Sequence, residues 1–205
     1  MKATRPSAWF SRVRLSLNGD AGHVLLLFGL CLLLVVPELG GDALRNALRY
    51  ERAAVGGGEW WRLVTAHLVH LDLRHTLFNM LGLVLMWVLF ARDFALWRWI
   101  AVIGVSMATV DAGLWFCDRS IQWYVGASGV LHGVMVAGTV AHLRRRDRDG
   151  WLLAGFVLVK LAWEQLNGAL PLALPADEVV VSAHLYGAVG GLLAGLGLRS
   201  RREPL

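Results

Sequence analysis

Six apolar blocks decide what this chain can fold into. They run from about Ala21 to Pro37, Leu73 to Phe90, Leu96 to Phe116, Val125 to Leu143, Trp151 to Leu166 and Val179 to Leu198. A helix needs about 20 apolar residues to cross a bilayer. In lipid its backbone polar groups must be satisfied within the segment, so such blocks fold as a helical bundle. Only 17% of the residues are charged, against roughly 25% in a soluble domain. The expectation is an all-α membrane protein: a six-transmembrane-helix domain over 21–198, a basic segment at 1–20 and a basic tail at 199–205. The first and fifth blocks are short and need tilt or local thinning of the bilayer. The first block also fits a secretory signal, but Val36-Pro37-Glu38 follows it instead of a small-residue cleavage site. It is read as a retained helix.

Basic residues set the orientation. With the N-terminus cytoplasmic, the inner segments hold Lys2, Arg5, Arg12, Arg14, Arg92, Arg98, Arg144, Arg145, Arg146, Arg148, Arg199, Arg201 and Arg202. They outnumber the outer set of Arg45, Arg49, Arg52, Arg62, Arg74 and Arg119. Both termini are therefore expected in the cytoplasm. The net charge of +5 becomes a topology signal. Its scatter over helix ends gives no nucleic-acid patch. Trp9, Trp60, Trp61, Trp97, Trp99, Trp123 and Trp151 fall near predicted helix ends, as interfacial anchors do, with Trp87 and Trp115 close by. Cys31 and Cys117 read as small core residues with no disulfide framework.

Against this background three polar clusters stand out. His75 and Asn79 lie near the start of the second block, Ser128 near the start of the fourth and His184 near the start of the sixth. In the predicted topology all three blocks run inward, so the clusters share one shallow depth on the outer side. Polar groups inside a membrane are costly and face the bundle interior or a wet cavity. A serine hydroxyl needs an adjacent base, usually histidine, to act as a nucleophile. Attack on an amide builds an oxyanion that preorganised donors stabilise. His75 and Asn79 at i,i+4 share a helix face and can supply two such donors, and the Ser128 amide another. No acid is evident to orient His184, so the expected unit is a Ser–His dyad. Gly129 and Gly133, and Gly187, Gly191 and Gly195, form small-residue stripes. Taken alone, these favour ordinary close helix packing.

The combined pattern resembles the rhomboid family of intramembrane serine proteases. It comprises Gly126-Ala127-Ser128-Gly129, His184 followed by glycines, His75-x-x-x-Asn79, Trp61-Arg62 and His70, spread from about Glu59 to Gly195. The resemblance implies a six-helix core with Ser128 as nucleophile, His184 as base, and His75, Asn79, Gly126, Gly129 and His132 around the oxyanion and substrate. It implies no metal or organic cofactor. Gly126 to Gly133, Lys160 to Gln165 and Val180 to Gly187 are similar to the rhombosortase branch. That branch implies substrates with a C-terminal Gly-Gly sorting tag, a single span and a basic tail, cleaved at the periplasmic side of a bacterial inner membrane.

His132 departs from the family, which carries a tyrosine one turn after the serine. It either fills that place with a local hydrogen bond, or tunes the dyad or holds substrate. Lys160 and Glu164, i,i+4 in the fifth block, are either an intrahelical ion pair or a substrate-binding element. Asp111 reads as a satisfied polar residue. His67, His70 and His75 lack the spacing of a zinc motif. Three other classes stand beside the protease. A silent client-binding relative would lack the serine or histidine. A transporter would carry inverted repeats. A transpeptidase or transferase would share the acyl-enzyme, and sequence does not separate it from a hydrolase.

Overall fold

In a computed structural model describing residues 21–169 and 179–198, the apolar blocks become six long helices. These are α1 (Ala21–Val35), α2 (Leu73–Phe90), α3 (Leu96–Ala112), α4 (Ser128–Arg144), α5 (Arg148–Asn167) and α6 (Val181–Gly197). The expected basic segments at 1–20 and 199–205 lie outside the described residues. Local chemistry sets the ends. Asp72 caps α2, its carboxylate accepting the His75 N–H at 2.7 Å. Gly168 ends α5 at φ 83°, a left-handed value that glycine adopts without strain. Pro37 turns α1 into the 3-10 turn Val36–Gly40 and the short helix Gly41–Leu48.

The first loop is stitched to the loop before α4. Tyr50–Glu51 pairs antiparallel with Trp123–Tyr124. The Arg52 guanidinium takes up carbonyls in and just after the π-helical extension of α3, Gly113–Cys117: Trp115 at 3.1 Å, Asp118 at 3.0 Å, Ile121 at 3.2 Å, and Leu114. Arg62 bonds Glu59 at 2.6 Å and the carbonyls of Asn46 and Arg49. It therefore folds this loop from within.

α4 runs through the centre, buried along most of its length. A Cβ on Gly187 would collide with the Gly129 carbonyl, and one on Gly191 with that of Gly133. Only glycine lets α4 and α6 approach this closely. Between the end of α2 and the start of α3, Trp87 and Trp99 stack at 4.8 Å beside Phe90, Val102 and Val134. These two tryptophans are core residues, a correction to their reading as interfacial. Trp60, Trp61, Trp97 and Trp151 are exposed. Cys117 is exposed as well, not in the core, and Cys31 is half-buried. At the far end of α4, His142 bridges Asp93 at 2.8 Å and Asp149 at 3.0 Å, tying the α2–α3 loop to α5. Arg144 caps the carbonyls of Gly195 and Leu196.

The chain is an integral membrane protein. Three helical runs among the described residues, Ala21–Leu48, Leu73–Phe90 and Leu96–Cys117, are long and apolar enough to cross a bilayer. α4 need not be as apolar, because protein and not lipid surrounds it. Leu25, Phe28, Leu81, Leu158, Val159 and Leu193 point outward from the bundle.

Candidate active site

Ser128 is the first residue of α4, and the segment before it is held by the first loop. The Gly126 N–H donates to the Ala66 carbonyl at 2.9 Å, and the Ala127 N–H to His70 Nε2 at 3.4 Å. Tyr124 donates its hydroxyl to the Gly126 carbonyl at 2.7 Å. Gly126 sits at φ 115°, and a Cβ there would lie 2.9 Å from the His75 ring. Both facts demand glycine. His70 is fully buried beside the His75 ring. Burial first, and then the neighbouring His75, push its pKa down to about 3. It is a neutral acceptor for the Ala127 amide. Burial likewise raises the Tyr124 phenol above its ordinary value.

His184, one turn into α6, reaches back to this serine. Its Nε2 lies 2.9 Å from Ser128 Oγ. Its Nδ1 lies 3.0 Å from Glu164 Oε2. A carboxylate only accepts, so Nδ1 carries the proton and Nε2 offers its lone pair to the hydroxyl. Where the sequence shows no acid beside His184, the structure puts the Glu164 carboxylate of α5 against its Nδ1. The C-terminal half of α5 meets the starts of α4 and α6 here.

Two further side chains complete the cluster. Lys160 Nζ is 2.6 Å from Glu164 Oε1 and 2.7 Å from His132 Nε2. His132 Nδ1 is 2.7 Å from the Ser128 carbonyl, and its ring stacks on His184 at 4.1 Å and 15°. His132 therefore makes the local hydrogen bond and also touches the base. His132, Glu164 and His184 offer ligand atoms close enough together for a metal ion. The Lys160 ammonium already bonds two of the three.

His75 and Asn79 open onto the same space. The Leu71 N–H points to His75 Nδ1 at 3.4 Å, which leaves the proton on Nε2, the nitrogen facing Gly126. Asn79 Nδ2 spends one hydrogen on the His75 carbonyl at 3.0 Å and keeps a second. Gly129 does not face this space. Its α-carbon packs on α6, where a Cβ would lie 2.8 Å from the Ala183 carbonyl. Asp111 pairs with His67 at 3.3 Å.

The polar cluster forms one end of a cavity of about 360 Å³. Phe78, Leu85, Met86, Leu131, Met135 and Phe156 make its apolar walls. It lies between α2 and α5, with α4 as its floor.

Two comparisons bear on this geometry. The chain is similar to "Putative rhomboid protease YdcA" of Bacillus subtilis (strain 168), 28% identical over 159 residues, covering 78% of this chain and 77% of that protein. The Rhomboid domain family model matches residues 57–201, from the first loop through the last helix and across every residue of the cluster. The chain belongs to the rhomboid family.

Proposed function

We propose that this chain is an intramembrane serine endopeptidase whose nucleophile is Ser128 and whose base is His184. The observation that carries the reading is the 2.9 Å contact from His184 Nε2 to Ser128 Oγ at the wall of an apolar cavity. In the first step Oγ attacks a peptide carbonyl carbon and its proton passes to His184 Nε2. The carbonyl π electrons move to oxygen. His75 Nε2–H and the free Asn79 N–H are the side-chain donors for that oxyanion. As the oxyanion collapses, the C–N bond breaks and His184 returns the proton to the leaving nitrogen. Water, deprotonated by His184, then attacks the Ser128 ester, releasing a carboxylate and restoring the serine.

Six spans with both termini in the cytoplasm would put this centre near the periplasmic face of a bacterial inner membrane. The resemblance to the rhombosortase branch makes a C-terminal Gly-Gly tag with one span the expected substrate. Glycines suit a cavity between helices, since each loosens a substrate helix by about 1 kcal/mol relative to alanine. The test is co-expression of a Gly-Gly-tagged, single-span reporter with wild type or Ser128→Ala at matched levels. Mass spectrometry then reads the new C-terminus. Cleavage by wild type alone supports the reading, and cleavage by both defeats it. The terminal mass separates a free carboxylate from an acyl group passed to an amine.

A further inference from the structure

We infer that Glu164 is the third member of the catalytic unit and that Lys160 and His132 hold it in its working state, making a Ser128–His184–Glu164 triad with a lysine clamp in place of a dyad. This rests on the protease reading and deepens it. Neither Glu164 nor Lys160 faces the reacting bond, so both are positioning residues.

Glu164 is buried, with one oxygen on His184 Nδ1 at 3.0 Å and the other on Lys160 Nζ at 2.6 Å. Without Lys160 this buried carboxylate would carry an uncompensated charge in the bundle, and without His184 its second oxygen would lack a donor. Bound to both, it cannot rotate, and it fixes the His184 tautomer that leaves Nε2 free for Ser128. An ammonium only donates. Nζ therefore makes His132 Nε2 an acceptor at 2.7 Å, and the His132 proton must ride on Nδ1, which donates to the Ser128 carbonyl at 2.7 Å. The lysine thus keeps His132 neutral.

That matters because the two imidazoles are stacked at 4.1 Å. A charged ring there would oppose the imidazolium that forms on His184 when Ser128 gives up its proton. At rest the charges of Lys160 and Glu164 cancel across 2.6 Å. During attack the new positive charge on His184 lies between Glu164 and the developing oxyanion. The same clamp explains the departure at position 132: a tyrosine there could not accept at a ring nitrogen, whereas histidine accepts from Lys160 and donates to Ser128 at once.

The test is steady-state cleavage of the tagged substrate by detergent-purified full-length protein across pH 5–9. The variants are Glu164→Gln, Glu164→Asp, Lys160→Met and Lys160→Arg, with Ser128→Ala as the blank and a thermal melt for each. The groups facing His184 are Glu164 and Lys160 from α5, His132 from α4 and His75 from α2. Glu164→Gln is expected to cut kcat about 10²–10⁴-fold, as losing a triad acid does, with KM within about threefold. Its acid limb should move to lower pH, because the imidazolium loses its carboxylate. Glu164→Asp and Lys160→Arg should recover part of kcat, and Lys160→Met should fall between. The inference is overturned if Glu164→Gln keeps the wild-type kcat and acid limb. It is also overturned if all four variants lose activity only in proportion to melting temperature, with the acid limb fixed. Cleavage surviving in Ser128→Ala would instead defeat the protease reading itself.

Discussion

At the scale of single residues, the site depends on one backbone conformation and one neutral histidine. Gly126→Ala would place a side chain at φ 115° and 2.9 Å from His75. Strain of that kind costs about 1–3 kcal/mol, and displacing His75 removes an oxyanion donor. Turnover is expected to drop about tenfold or more, with the Ser128→Ala background as the baseline. His70 gives a pH prediction. Its folded pKa of about 3 lies below its ordinary value near 6.5. The neutral form is therefore favoured by folding. That contribution is whole above pH 6.5 and is lost as pH falls from 6.5 toward 3. Wild-type melting temperature should decline through this window, and His70→Gln should decline less; parallel curves would contradict the assignment. That Ser128, His184, His75 and Asn79 would share one space was legible in sequence, because polar residues in apolar helices gather away from lipid, and all four line one cavity. Glu164 was visible as a charge, but its link to His184 was not. Two residues on different helices share no spacing, and only the tertiary packing of α5 against α6 joins them.

Among the elements, α4 and α6 form the axis. Gly187 and Gly191 touch the Gly129 and Gly133 carbonyls so closely that any side chain must part the helices. Gly191→Val is expected to destabilise the protein by about 1–3 kcal/mol and to reduce cleavage by moving His184 away from Ser128. A melt and an activity assay on one preparation check both. Unchanged values would mean the stripe is not what seats His184. The six helix positions were readable from hydropathy to within a few residues, since apolar length is a strong signal. The surroundings of individual residues were less so. Trp87 and Trp99 sit near helix ends in sequence, yet they pack inward on each other, and composition carries no information about which side of a helix meets a neighbour. Gly129, next to the nucleophile in sequence, turns its face to α6. Arg52 and Arg62 looked like charges on the outer side. They also have a structural part, because four carbonyls in and just after the extension of α3 and two in the first loop accept from them.

For the whole molecule, the cavity is lined by α2, α4, α5 and α6 where the polar residues near the starts of α2, α4 and α6 meet the C-terminal half of α5. On the proposed topology, a fluorescent reporter fused after Leu205 should fold and a periplasm-dependent phosphatase fused there should stay inactive. The same phosphatase inserted near Gly58 in the first loop should be active. The reverse pattern would invert the topology and move the site to the cytoplasmic face. The most direct measurement of the central claim is reaction of the purified protein with a fluorophosphonate, followed by peptide mass spectrometry. A single adduct on Ser128, abolished in His184→Ala although that variant keeps its melting temperature, is the predicted result. An adduct elsewhere, none at all, or undiminished labelling of Ser128 in His184→Ala would contradict it.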